Sequence, residues 1–91
     1  MSHIHLYKLV TGETIITEMI RMDEVGNEEC FVIKNPKVVT EQSVWDGDLA
    51  DWIIGGNLND FPLPKKYVVI GVEEGSIDPL VMEAYTGYAN S

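Results

Sequence analysis

Apolar and polar positions alternate with a period of two over most of the chain and change to a helical period only near its C-terminus. Residues 3–10 alternate imperfectly, with Ile4, Leu6 and then Leu9 or Val10 on one face, which predicts a first strand. Thr11-Gly12 follows as a turn or bulge, since glycine accepts positive φ. Residues 13–21 are rich in β-branched side chains. Ile15, Thr17 and Met19 share one face and Ile16, Glu18 and Ile20 the other, so this strand should be partly buried on both sides. The polar stretch "MDEVGNEE" reads as an exposed hairpin loop.

Residues 30–34 form the next predicted strand, and Asn35-Pro36 is expected to break it, because proline has no amide donor and holds its predecessor extended. Residues 37–44 resume as a strand. The stretch "WDGDLADWIIGGNLNDFPLPKK" predicts a short strand through Trp52, Ile53 and Ile54, with turns at "GGN" and "PLP". Residues 66–73, "KYVVIGVE", carry the strongest strand pattern. Then the period changes. Asp78 is a good N-cap and Pro79 suits the first helical position. Leu80, Val81, Ala84, Tyr85 and Tyr88 fall on one stripe, which predicts a helix over 79–86, ended by Gly87.

Four or five bent strands and one helix in so short a chain imply a small, strongly bent sheet or barrel. Such an open barrel has two unpaired edges. Pairing one copy's edge with the opposite edge of the next would remove both and close a ring of head-to-tail contacts.

Composition adds limits. The chain has 91 residues, 45% of them apolar, which fits one small globular domain and not a disordered chain. Cys30 is the single cysteine, so no disulfide can reinforce so small a core, and no Cys/His cluster has zinc spacing. Self-association is the remaining route to more burial. No apolar run is long enough for a membrane helix and no signal peptide opens the chain, so a cytoplasmic protein is expected. The net charge of −9 gives a field that repels nucleic acid and anionic membrane on average. Any nucleic-acid site must then be a local basic patch. The basic residues do cluster: Lys34 and Lys37 flank Asn35-Pro36, and Lys65 with Lys66 follows the second proline-rich turn.

The stretches "YKLVTGETIITEMI", "CFVIKNPKVV" and "KYVVIGVEE" together resemble a family of small Sm-like proteins of tailed bacteriophages, including those of marine cyanobacteria. The resemblance covers most of the chain and is loosest in the middle. It implies a strongly bent five-stranded Sm-like (SH3-type) barrel with a short C-terminal helix, assembled into homo-oligomeric rings. It also implies binding of single-stranded nucleic acid, RNA above all, in a nucleic-acid-processing role, within the cytoplasm of the host cell. Carried over from that family, the loop between the second and third strands holds Lys34, Asn35, Pro36 and Lys37, and the loop before the last strand holds Lys65, Lys66 and Tyr67. The nucleic-acid-binding residues expected from it are Lys34, Asn35, Lys37, Lys65, Lys66 and Tyr67, gathered around a shared pore. The Asp-x-x-Met-Asn and Arg-Gly signatures of Sm loops are absent here.

Each of these residues also has a plainer role. Lysines keep edges soluble or pair with acids, and Asn35 forms turns. Trp45, Trp52, Phe61 and Tyr67 suit the core or a subunit interface, or else a stacking platform for bases. His3 and His5 share a strand face but need a third ligand to hold a metal. Asp46, Asp48 and Asp51 lack the remaining ligands of a calcium loop. No phosphate loop, nucleophile elbow or Cys–His pairing points to an enzyme, and no cofactor is expected. A ring serving as a protein-interaction scaffold is the alternative function. A metal-dependent hydrolase using Asp46, Asp48, His3 or His5 is the remote one.

Overall fold

Strands dominate, as the period-two pattern predicts. The computed structural model describes residues 3–52 and 60–89, with side chains as far as Gly87. In chain order the elements are β1 (His3–Leu9), β2 (Thr14–Val25), β3 (Glu28–Val39), α1 (Glu41–Asp46), β4 (Ala50–Asp51), β5 (Phe61–Pro64), β6 (Val68–Glu73) and α2 (Pro79–Ala89). Short 3-10 turns at Lys65–Tyr67 and Glu74–Ser76 flank β6. All strand pairs are antiparallel, in the order β4-β3-β2-β1-β6, with β5 also on β3. The sheet is not closed. Among the described residues no strand pair joins β6 to the β4 and β5 side.

Turn chemistry sets the long β2–β3 ribbon. Gly26 and Asn27 both have positive φ, at 58° and 68°, the conformation of a two-residue hairpin turn. The polar stretch read as a loop is therefore ladder almost to its tip, with Asp23, Glu24 and Val25 opposite Cys30, Glu29 and Glu28. Gly12, at φ 97°, makes the β1–β2 turn as expected.

The expected break at Asn35-Pro36 does not occur, because the residues are absorbed as a bulge inside a continuous β3. Ile16 faces Lys37 while Glu18 faces Lys34, so β3 holds one residue more than β2 there. Asn35 takes the left-handed conformation at φ 52°, which asparagine tolerates. A second shift, between Met19 and Arg21, puts the extra residue on β2.

The two faces of the sheet bury separate clusters. Tyr7, Leu9, Ile15, Ile33 and Leu63 form one, with Phe31, Val38, Trp52, Phe61 and Val68 against it. Ile16, Leu49, Ile77, Val81 and Tyr85 form the other, with Ile4, Leu6, Val39 and Val72 partly buried on it. Leu9 thus sides with Tyr7 and not with Ile4 and Leu6. The bulge explains why Ile33 and Val38, an odd number of residues apart, reach the same cluster. The predicted burial of β2 on both faces is present: Ile15, Ile16 and Thr17 are all inaccessible.

Three other expectations change. Residues 41–44, read as the end of a strand, instead begin α1. Its start is held by the Thr40 N–H on Ser43 Oγ (3.0 Å), and Gly47 ends it at φ 74°. Of the strand expected through Trp52, Ile53 and Ile54, the pairing observed is Ala50–Asp51 on β3, and Ile53 and Ile54 lie outside the described residues. Gly87 does not end α2, which runs to Ala89. Its start is as predicted: Asp78 Oδ1 accepts the N–H of Leu80 at 2.9 Å, with Pro79 first in the helix. Val81 and Tyr85 supply its buried stripe, while the side chain of Tyr88 lies outside those described.

Candidate functional site

The bulge in β3 creates a local problem. A bulge leaves backbone groups without ladder partners, and buried carbonyls need a donor. Thr17 Oγ1 donates to the carbonyl of Lys34 at 2.8 Å. Tyr85 Oη, from α2, donates to the carbonyl of Asn35 at 2.8 Å and approaches that of Lys34 at 3.3 Å. Both hydroxyl-bearing side chains are inaccessible to solvent. Burial pushes the Tyr85 phenol above its ordinary pKa, and the carboxylate of Glu18 adds to the rise. The Asn35 side chain donates through Nδ2 to Glu18 Oε2 at 3.3 Å. The "KNP" residues therefore dock α2 on the sheet. Lys34 is exposed, and Lys37 Nζ lies 2.5 Å from Asp51 Oδ1 on β4.

The second lysine pair sits elsewhere. The Cys30–Pro64 register brings the end of β5 to the tip half of β3. There Lys66 Nζ meets Glu28 Oε1 at 2.7 Å and Lys65 Nζ lies 3.5 Å from Glu29 Oε2. The bond from Glu28 and its charge hold the Lys66 ammonium above its ordinary pKa. Lys66 Nζ also lies 5.4 Å from the ring centre of Tyr67, which is 46% exposed.

The six expected residues thus form two groups. Lys65, Lys66 and Tyr67 are together; Lys34, Asn35 and Lys37 are together; a single copy of the chain does not bring the groups to a common patch. They lie on the two halves of β3, about 20 Å apart at ~3.3 Å rise per residue. The reason is that the loop joining β2 and β3 is Gly26-Asn27, not Asn35-Pro36. Three of the four lysines already face carboxylates.

The remaining candidates are placed as follows. His3 and His5 line a cleft with Glu73 and Glu74, and the ring of His5 stacks on that of Tyr7 at 5.6 Å. Among the described residues no group of three His, Cys, Asp or Glu side chains could hold a metal ion. Asp46 accepts hydrogen bonds from Gln42 Nε2 (2.7 Å) and from the backbone N–H of Asp48 (2.9 Å), which lower its pKa in that order. Trp52 and Phe61 pack edge to face at 5.8 Å against the first cluster. Trp45 does not enter the core at all, being 81% exposed.

Some features had no signal in the sequence. Val69 and Ile70, in the strongest strand pattern, are 59% and 58% exposed, because β6 is an edge strand. Tyr7 Oη is buried with no hydrogen-bond partner among the described residues, and burial pushes its pKa up to about 12. Among the described residues no helix is long and apolar enough to cross a membrane.

Compared with known protein families, curated proteins and solved structures, the chain matches none of them.

Proposed function

We propose that the chain is a non-enzymatic Sm-like module, a curled open barrel whose copies join edge to edge into a ring that serves as an assembly and protein-interaction scaffold. The observation that carries this reading is the β6 edge. It presents Val69 and Ile70 to solvent and has no strand on its far side among the described residues. An apolar edge of this kind is a template for another strand. The strand order supports the barrel: β5 and β6 lie at opposite ends of the sheet and are joined by a single 3-10 turn. The prolines of β5 support the head-to-tail mode. Pro62 and Pro64 remove two N–H donors from that edge, so two β5 edges pair poorly with each other, while β6 can still donate to their carbonyls.

Binding of single-stranded RNA is the second reading. One observation favours it: Lys65 and Lys66 beside the half-exposed ring of Tyr67, a combination able to meet phosphate and base. The pairing of both lysines with Glu28 and Glu29 weighs against it.

Light scattering on the purified chain, with and without Val69→Lys plus Ile70→Lys, tests the first reading. A closed oligomer that the double variant reduces to monomer is expected; a monomeric parent protein refutes assembly. Labelled oligo-U and oligo-A at low salt test the second. Binding lost on Lys65→Glu plus Lys66→Glu would transfer the assignment to RNA.

A further inference from the structure

Trp45 stands out on the surface. A tryptophan buries a large apolar area when it is covered, so an indole 81% exposed leaves that gain unused in the isolated chain. Val44 beside it is 45% exposed, and Leu80 on α2 is 37% exposed. The helix that carries Trp45 is held at both ends. Thr40 N–H bonds Ser43 Oγ, Ser43 Oγ donates to the carbonyl of Asp48, and Gln42 and the Asp48 N–H both bond Asp46. The C-terminal Gly47 packs on α2, where an added Cβ would meet Ala84 Cβ at 3.3 Å. The indole is thus displayed from a short helix hydrogen-bonded at both ends.

The segment that carries it is acidic. Residues 38–52 contain Glu41, Asp46, Asp48 and Asp51 and no lysine or arginine. α2 contributes Glu83 and no basic residue, and Asp78 caps it. The neighbouring part of β3 carries two basic side chains, Lys37, which is paired with Asp51, and the exposed Lys34. The charge of a second copy, −9, is the wrong sign for this side, and so is that of a nucleic acid.

We propose that Trp45 and the acidic residues around it, where α1 meets α2, form a docking surface for a lysine- or arginine-bearing segment of another protein. A cation over an indole face gains from the ring quadrupole, most of all with tryptophan. The carboxylates around it supply long-range attraction and register. Tryptophan is among the residue types enriched at the hot spots that dominate binding energy. This surface is separate from the β6 edge, so it stands or falls independently of ring formation.

The test uses the full chain and three labelled peptides, rich in arginine, in lysine or in glutamate, read by fluorescence anisotropy. Binding of a basic peptide is expected, falling with added salt, with none of the acidic peptide. Trp45→Ala should weaken it about tenfold, the size of a modest hot spot. Glu41→Gln with Asp48→Asn should weaken it and flatten its salt dependence. The proposal is overturned if no basic peptide binds at low salt, or if Trp45→Ala binds equally well. It is also overturned if Trp45→Ala changes the mass seen by light scattering, which would place the indole between copies.

Discussion

Tyr7 and Tyr85 are both sealed from solvent, and their hydroxyls meet opposite fates. Tyr85 Oη satisfies carbonyls of the bulge, whereas Tyr7 Oη has no partner among the described residues. Removing a buried hydroxyl without a partner sheds a desolvation cost, while removing a bonded one strands its acceptors, at about 1–3 kcal/mol. Tyr7→Phe should therefore leave stability unchanged or raise it, and Tyr85→Phe should lower it by about 1–3 kcal/mol. Urea melts of the two variants measure both; the reverse order would contradict the assigned roles. The phenols also set the alkaline limit. Burial raises both pKa values, that of Tyr7 to about 12, so the folded state favours the protonated forms. Their contribution is complete below the ordinary tyrosine value of about 10 and is lost as pH rises through the folded values. Thermal melts should hold steady from neutral pH toward that value and drop above it, less steeply in Tyr85→Phe.

Among the elements, β3 shows what could be read from the sequence and what could not. Period and composition located strands β1, β2 and β6, and Asp78-Pro79 located the start of α2, since those signals are local. Asn35-Pro36 reads as a strand break in sequence because its outcome depends on Thr17 and Tyr85, far away in sequence, which satisfy the carbonyls that the bulge frees. Helix α1 was hidden for a related reason: Val44 and its neighbours suit a strand, and the Thr40–Ser43 and Ser43–Asp48 bonds override that preference. The candidate lysines were legible as clusters but not as partners of Glu28, Glu29 and Asp51, since pairing across strands needs the register. The left-handed backbone at Asn35 gives a direct check. Asn35→Gly should be nearly neutral apart from the lost bond to Glu18, while Asn35→Val should cost about 1–3 kcal/mol, being β-branched in that conformation. Chemical denaturation of the pair decides it, and equal losses would mean that the backbone there is not constrained.

At the scale of the whole molecule, charge and burial are arranged separately. The ion pairs Lys65–Glu29 and Lys66–Glu28 are solvent-exposed. Exposed pairs of this kind add little to stability, so Lys66→Ala should barely shift a thermal melt, and a large drop would reveal a structural role for that tip. The two apolar clusters carry the fold instead, and α2 covers the second of them. The hydroxyl that α2 brings to Asn35 gives that helix another part to play. With the bulge in place Val38 belongs to one side of the sheet and Val39 to the other. Cutting the chain before Tyr85 would take away the clasp that holds this odd residue, and β3 would be free to slide one position along β2, exchanging the two valines. Helix α2 would then act as a latch on strand alignment, and amide exchange along 36–39 should quicken once it is removed.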